Sequence, residues 1–187
     1  MFEKLLSRIA KELDKNNIPY MIIGGQAVLL YGEPRLTRDI DVTLGSVVGN
    51  WQHVLKVMDK IKIKPLPKEP AEFVKHTWVL PGEEKKSGIR VDFIFSFTPY
   101  EQQAIKRGRK IKLGGGKVNF ASPEDLVIHK LFAGRPRDIE DVKGIIAKNP
   151  KLDKKYIKKW LEEFETSGPA KGLIATFTDC LKAKSGG

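Results

Sequence analysis

The residues best suited to chemistry are two aspartates that alternate with apolar residues in the segment DIDVTL. Side chains of an extended strand alternate between its two faces, so Asp39 and Asp41 are expected to point the same way. Their backbones would be about 6 to 7 Å apart, which lets both carboxylates bind one hard cation or bridge two. Mg²⁺ suits such a pair because it prefers oxygen ligands and keeps water and substrate phosphates in its other positions. Taken alone, the pattern also fits a solvated face on an edge strand.

A pair of glycines precedes these aspartates. The apolar run IPYMIIGG predicts a strand that ends at Gly24 and Gly25, and the following QAVLLYG has the apolar spacing of a helix. Such a turn exposes backbone N–H groups at the start of a helix, where the helix dipole favours a phosphate. The alternative is a tight turn that needs glycine only for its backbone angles.

Together, the glycine turn and the aspartate strand resemble the signature of the DNA polymerase β-like nucleotidyltransferase superfamily. The spacer GEPRLTRD is particularly similar to that of the AbiEii-type and related small bacterial and archaeal nucleotidyltransferases. The resemblance implies that Gly24 and Gly25 bind the nucleotide phosphates. It also implies that Asp39 and Asp41 bind metal ions.

The superfamily uses a third carboxylate on a neighbouring strand, and the segment GIRVDFIFS offers Asp92 for this role. The alternation predicts a strand with Arg90 and Asp92 on the face opposite to Val91 and Phe93. A charged residue among so many apolar neighbours needs a partner, and Arg90 is the structural alternative to a metal ion. We favour the catalytic interpretation because the other two aspartates require a third ligand.

The resemblance implies a mechanism in which positioning and charge neutralisation do most of the catalytic work. Two Mg²⁺ (or Mn²⁺) ions about 4 Å apart would be held by the three aspartates, and Asp92 would also help to deprotonate the acceptor hydroxyl. The substrate would be an NTP, attacked at its α-phosphorus with release of pyrophosphate. Arg35 and Arg38 in the spacer are candidate phosphate contacts, or equally partners of nearby acids.

A second motif begins at Ala121, in ASPEDLVIHKLFAGRPRDIEDVKGII. Ser122 and Pro123 predict a helix start, and the helix is expected to run to about Phe132 and to restart near Pro136. Lys130 would lie beside an apolar stripe, which predicts a buried stem with the amine reaching inward.

The pattern HKLFAGRPRDIEDV is similar to the downstream motif of the AbiEii-like group. This resemblance implies that Lys130 contacts the triphosphate and that Asp138 supports the site. The alternatives are an ordinary solvated lysine and, for Asp138 and Asp141, acids that the dipole favours near a helix start.

The order of predicted elements indicates an α+β fold with a mixed β-sheet: helix, strand, helix, strand, helix, strands, helix, hairpin and then helices. The 187 residues, 41% of them hydrophobic, are enough for one core. Residues 1–121 would form the nucleotidyltransferase catalytic core, and residues 122–187 a helical C-terminal part that completes the cleft, or the two would form one compact domain. We expect His76 and Trp78 on a strand, with Trp78 packed in the core rather than stacked on a base, and the tail KAKSGG to be loose.

Composition limits the function classes. The single cysteine, Cys180, fits a reducing cytoplasm, and the histidines share no spacing typical of a zinc site. The longest apolar stretch is too short to span a membrane. The net charge is +11, and the segment Lys106–Lys117 has six basic residues and no acid, which would attract polyanions such as RNA or would simply aid solubility.

These features predict an enzyme that moves a nucleoside monophosphate from an NTP to a hydroxyl of RNA or tRNA, a protein or a small molecule. Within this class, the AbiEii-type resemblance adds one specific form: the toxin of a toxin-antitoxin pair, with an antitoxin protein as partner. The alternative is a non-catalytic protein on the same fold that binds nucleic acid or a partner. The aspartates argue against it, because a binder of polyanions would gain from losing Asp39, Asp41 and Asp92.

Overall fold

The computed structural model of this chain describes residues 1–96 and 98–183. Residues 184–187, the end of the predicted loose tail, lie outside the described residues. Within the described part of the chain, no helix is both long enough and apolar enough to cross a membrane.

The strands are β1 Tyr20–Ile23, β2 Asp39–Gly45, β3 Ile63–Pro65, β4 Val79–Glu84, β5 Arg90–Ser96, β6 Arg109–Leu113 and β7 Gly116–Phe120. The helices are α1 Phe2–Lys15, α2 Gly24–Tyr31, α3 Trp51–Lys60, α4 Pro70–Thr77, α5 Pro99–Arg107, α6 Pro123–Ala133, α7 Pro136–Lys148, α8 Lys154–Ser167 and α9 Leu173–Lys182.

The seven strands of the described residues form one sheet in the order β3-β4-β5-β2-β1-β7-β6. Strand β2 lies between β1, with which it is antiparallel, and β5, with which it is parallel. Strand β7 is parallel to β1 and antiparallel to β6. The α+β fold with a mixed sheet is confirmed.

The chain divides into two compact units. The sheet unit comprises Met1–Gln26 and Leu36–Ala121, and it contains all the described strands. The helical unit comprises Ala27–Arg35 and the described residues from Ser122 onward. Segment 27–35 therefore belongs to the helical unit, although it lies far from the C-terminal helices in the sequence.

Each unit has its own apolar core. In the sheet unit, α1 places apolar residues at helical spacing against β7 and β6, because burial of one stripe stabilises an amphipathic helix. In the helical unit, α6 contacts α7, α8 and α9. The fully buried side chains include Ile9, Leu13, Ile40, Val42 and Phe120 in the first core, and Leu126, Val142, Ile145, Leu161 and Phe177 in the second.

Helix α6 begins and ends as the sequence predicts. The Ser122 hydroxyl accepts a hydrogen bond from the Asp125 N–H at 3.1 Å, which satisfies one of the free donors of the first turn. Gly134 has a φ of 63° and ends the helix, because a left-handed residue cannot continue it. Pro136 then starts α7.

The strand predicted around His76 is wrong. His76 lies in α4, which begins at Pro70 and ends at Thr77; the next residue, Trp78, has a φ of 58°. Proline is favoured in the first helical turn, and a left-handed residue ends a helix. Trp78 is 54% exposed, so its predicted place in the core is also wrong.

Candidate active site

The three candidate metal ligands lie on one face of the sheet unit, on adjacent strands. Strands β2 and β5 pair Asp41 with Asp92, and Asp39 with Arg90. Paired residues of neighbouring strands project to the same face of a sheet. The apolar residues that alternate with Asp39 and Asp41 are fully buried, which fixes the face that the carboxylates occupy. The alternation predicted for both strands is confirmed.

Gly24 and Gly25 begin α2 directly after β1 ends. Gly24 has a φ of +64°, a conformation that glycine adopts without strain. The carboxylate of Asp41 lies over it, since a Cβ added to Gly24 would be 2.8 Å from Asp41 Cγ. Ile23 pairs with Asp41 between β1 and β2, which explains this close approach. Asp41 thus lies beside the positive end of the α2 dipole.

Thr37 and Gln26 hold Asp39 in place, and neither residue is identified by the sequence analysis. Thr37 Oγ1 donates a hydrogen bond to Asp39 Oδ1 at 2.9 Å. Thr37 also lies over Gly25, where an added Cβ would be 2.8 Å from the Thr37 Cβ. Gln26 Nε2 donates to the Asp39 carbonyl at 3.4 Å, and only 6% of Gln26 is exposed. The contact of Thr37 could have been inferred from its position two residues before Asp39. The spacing of Gln26 in the sequence does not indicate its contact with the Asp39 carbonyl.

Arg90 is a hydrogen-bonding partner of Asp92. Its Nε donates to Asp92 Oδ1 at 2.9 Å, and the two side chains are 56% and 17% exposed. The hydrogen bond to Asp92 and the attraction of its charge raise the pKa of Arg90, with smaller contributions from Asp39 and Asp41. One guanidinium group therefore offsets part of the charge of three carboxylates. The sequence offered Arg90 as the structural partner of Asp92, and this pairing is observed. A catalytic role for Asp92 stays a prediction.

The donor set on this face fits a divalent cation. Carboxylate oxygens are among the ligands that Mg²⁺ and Mn²⁺ prefer, and Gly24 has no side chain that would collide with the Asp41 carboxylate. Over residues 1–96 and 98–183, no three His, Cys, Asp or Glu side chains converge on a point that could hold a metal ion. Asp92 is engaged by Arg90, and Asp39 by Thr37. A cation bound by Asp92 would compete with Arg90 for this carboxylate.

Lys130 is the centre of a buried charge cluster in the helical unit. Its Nζ donates to Asp138 Oδ1 at 2.6 Å and lies 2.9 Å from Asp141 Oδ2. Lys130 is 5% exposed, and Asp138 is 2% exposed. The predicted buried stem with an inward amine is confirmed, so the alternative of a solvated lysine is wrong. Contact of Lys130 with a triphosphate stays a prediction.

Two arginines complete this cluster. Arg35 donates from Nε and Nη2 to the two carboxylate oxygens of Asp141, at 3.0 and 3.1 Å. Arg135 Nε donates to Asp138 Oδ2 at 2.6 Å. Burial alone would raise the pKa of Asp138, but hydrogen bonds from Arg135 and Lys130 lower it below its usual value. Of the two roles left open for Arg35, the structure shows the pairing with an acid.

The predicted site residues are therefore distributed over both units. Arg38 is exposed just before β2. The sheet unit contains Gly24, Gly25, Arg38, Asp39, Asp41 and Asp92, and the helical unit contains Arg35, Lys130 and Asp138.

A family model described as "Nucleotidyltransferase of unknown function (DUF6036)" matches residues 2–167. The chain belongs to this nucleotidyltransferase family. The matched range includes the glycine turn, the aspartate strands and the Lys130 cluster. A comparison with curated protein sequences gave no significant match.

Solved structures with a similar fold include nucleotidyltransferases. This nucleotidyltransferase is similar to an antigenic nucleotidyltransferase-like protein from Paracoccidioides brasiliensis, at 19% identity and a TM-score of 0.58, over 97% of this chain and 92% of that one. It is similar to the antibiotic-resistance factor ANT(2″)-Ia, at 14% identity and a TM-score of 0.59, over 89% and 92% of the two chains. It is also similar to the lincomycin-bound lincosamide antibiotic adenylyltransferase LnuA, at 18% identity and a TM-score of 0.52, over 76% and 94%. At these identities the comparison shows a shared fold.

Proposed function

We propose that this nucleotidyltransferase transfers a nucleoside monophosphate from an NTP to a hydroxyl group of an acceptor. We further propose that Asp39, Asp41 and Asp92 hold the Mg²⁺ or Mn²⁺ that the reaction uses. The observation that carries the proposal is the register of β2 and β5, which places Asp92 beside Asp41 on one face. Carboxylates on one face repel each other, and a divalent cation would relieve the repulsion that Arg90 offsets only in part.

Each residue on this face has a role in the proposed reaction. When bound, the divalent cation neutralises the charge of the triphosphate and of the departing pyrophosphate. Asp39 and Asp41 hold that cation, and the hydrogen bond from Thr37 keeps the Asp39 carboxylate in one orientation. Asp92 contributes a further ligand and accepts the proton of the attacking hydroxyl, which brings the oxygen nucleophile closer to its reactive form.

The nucleotide phosphates are assigned to the start of α2 and to basic side chains. The N–H groups of Gly24 and Gly25 lie at the positive end of the helix, where they would donate to phosphate oxygens. Arg38, exposed next to β2, would add a positive charge. By resemblance we assign Lys130 to the triphosphate and Asp138 to its orientation, which the 2.6 Å contact between them supports. An ammonium group has three donors, so the two carboxylates leave one for a phosphate.

The proposal has finer forms that differ in the acceptor molecule. A net charge of +11 and the basic segment Lys106–Lys117 favour RNA or tRNA. For an RNA or tRNA acceptor, the AbiEii-type resemblance favours the role of a toxin that has an antitoxin protein as its partner. The fold shared with LnuA, whose structure contains lincomycin, favours a small hydroxyl-bearing molecule instead.

The test is transfer of label from each α-³²P NTP in turn, with Mg²⁺ or Mn²⁺. The acceptors are total RNA, the protein itself and a panel of aminoglycosides and lincosamides. We expect Asp39→Asn and Asp41→Asn each to reduce labelling by about a hundredfold or more, while Asp14→Asn, at an exposed position of α1, has no effect. Labelling that persists in both variants would overturn the proposed site. Absence of both labelling and NTP binding in the parent protein would favour the non-catalytic alternative.

A further inference from the structure

Helix α7 and the residue after it hold the chain segment that leads from α2 toward β2. Asn149 Nδ2 donates to the carbonyl of Tyr31 at 2.8 Å. Lys148 Nζ donates to the carbonyl of Gly32 at 3.1 Å. Gly32 also packs tightly on the helix, since a Cβ there would be 3.2 Å from Ile145 Cγ1. The start of the segment therefore runs along α7.

The other end of this segment is held by Asp141. The pair Arg35 and Asp141 is bidentate, and its members are 106 residues apart in the sequence. Asp141 is 8% exposed, and the Arg35 side chain is 22% exposed. Residues 141, 145 and 148 lie on one face of α7, because their spacing matches the helical repeat. Two parallel hydrogen bonds fix the orientation of the guanidinium group as well as its position.

Arg35 lies two residues before Thr37 and four residues before Asp39. Consecutive Cα atoms are about 3.8 Å apart, so fixing Arg35 confines the Thr37 Cα to within about 7 Å of it. Thr37 is the residue whose hydroxyl donates to the Asp39 carboxylate. Leu36, between them, is 76% exposed, so burial of Leu36 does not anchor this stretch.

We propose that Asp141 is a positioning residue for the transfer reaction, and that it acts by clamping Arg35. The clamp restrains the chain ahead of β2 so that Thr37 remains in place to orient Asp39. The inference rests on the proposed function. It gives Arg35 a role that is exerted through Asp141, in place of a direct contact with a nucleotide phosphate.

Limited trypsin digestion of the nucleotide-free protein tests the clamp itself. Trypsin cleaves after arginine, and it must bind the arginine side chain that Asp141 holds. We expect Asp141→Asn to speed cleavage after Arg35 by about tenfold or more, relative to cleavage after Arg38. The matched control is Glu140→Gln, which removes an exposed acid next to Asp141 and should leave the ratio unchanged. An unchanged ratio in Asp141→Asn would overturn the clamp.

Transfer kinetics test whether the clamp positions the site. We expect Arg35→Gln and Asp141→Asn each to lower kcat/KM by about tenfold to a hundredfold. Because both act on the same contact, the double variant should have the same kcat/KM as the less active of the two single variants. Arg35→Lys keeps the charge but loses the fork, so it should resemble Arg35→Gln. Arg38→Gln, in the same connection, serves as the matched arginine control and is expected to change only the KM for NTP.

A direct phosphate contact by Arg35 would give a different pattern. Arg35→Gln would then raise the KM for NTP while Arg35→Lys, which keeps the positive charge, stayed near the parent value, and that result would overturn the inference. Far-UV circular dichroism and the Tm of each variant show whether it is folded; should Asp141→Asn unfold, the comparison of Arg35→Lys with Arg35→Gln decides. Absence of transfer by the parent protein would overturn the proposed function, and the digestion ratio would still decide the clamp.

Discussion

The carboxylate of Asp41 lies over the Cα of Gly24, at the point where strand β1 ends and helix α2 begins. A negative charge is favoured at this end of a helix, and the contact leaves no space for a side chain at position 24. The glycine turn and the aspartate strand are therefore in direct contact within the candidate site. This relationship gives the glycine a steric reason in addition to its φ of +64°.

Gly24→Ala is expected to destabilise the protein more than an alanine at a comparable glycine. The left-handed backbone costs about 1 to 2 kcal/mol for any residue with a Cβ, and the collision with Asp41 adds about 1 to 3 kcal/mol. The matched control is Gly88→Ala, with a φ of +68° and nothing within 4 Å of its added Cβ. Urea unfolding of both variants measures the difference. Equal losses would contradict the close approach of Asp41 to Gly24.

Arg90→Gln is expected to strengthen the binding of Mn²⁺ to the nucleotide-free protein. Arg90 Nε donates to Asp92 Oδ1 at 2.9 Å, and the charges of Asp39 and Asp41 also attract the guanidinium group. The arginine therefore competes with a cation for the same carboxylates. Removing it should lower the Kd by roughly tenfold, the effect of one charge at short range near a protein surface. Isothermal titration calorimetry measures this Kd.

The control for Arg90→Gln is Lys110→Gln, which removes an equal charge from an exposed position of β6. It should leave the Kd for Mn²⁺ within about twofold of the parent value, because exposed charges beyond a Debye length are screened. Equal effects of the two variants would show that Arg90 does not compete for the site. A weaker affinity in Arg90→Gln would mean that the arginine helps to assemble it.

Lys130→Met is expected to reduce the free energy of unfolding by about 2 to 4 kcal/mol. The methionine preserves much of the buried volume but leaves the carboxylates of Asp138 and Asp141 without their shared cation, and breaking a buried ion pair is costly. Arg135 and Arg35 continue to pair with them, which keeps the loss below that of two unpaired charges. Denaturant unfolding should show almost no change for Lys143→Met, whose ion pair with Glu140 is exposed. Similar stabilities of the two variants would argue that the cluster contributes little to folding.

The parts of the fold that follow from local patterns were predictable from the sequence. Burial of Ile40 and Val42 forces Asp39 and Asp41 to the opposite face, and strand parity alone shows this. The start of α6 at Pro123 follows from the capping preference of Ser122. The helix α4 was missed because valine, threonine and tryptophan near its end favour a strand, whereas proline in its first turn and the left-handed Trp78 define a helix.

The contacts that orient the site could not be predicted from spacing. Arg35 and Asp141 are 106 residues apart, and only the packing of segment 27–35 within the helical unit brings them together. Gln26 reaches the Asp39 carbonyl because α2 begins beside β2. Such pairings depend on tertiary structure, for which one sequence carries no periodic signal.

The stability of the protein is expected to fall between about pH 6.5 and pH 4 because of His129. Burial lowers the pKa of this histidine in α6 from 6.5 to about 4, against the opposing attraction of Asp125. As the pH falls below 6.5, the unfolded chain takes up a proton that the folded protein does not, so unfolding becomes easier until the folded pKa is reached. The loss over this range is at most about 3 kcal/mol.

Urea unfolding of the parent protein and of His129→Gln at several pH values checks this, since glutamine does not titrate and the slope between pH 6.5 and 5 should disappear. A second loss of stability, which we attribute to Glu84, should remain at lower pH in both proteins. Hydrogen bonds from Ser87, opposed by burial and reinforced by Arg8, lower the pKa of Glu84 from 4.5 to about 2. Its stabilising contribution is therefore present above pH 4.5 and disappears as the pH falls toward 2. The same slope between pH 6.5 and 5 in both proteins would show that His129 is not the group that responds.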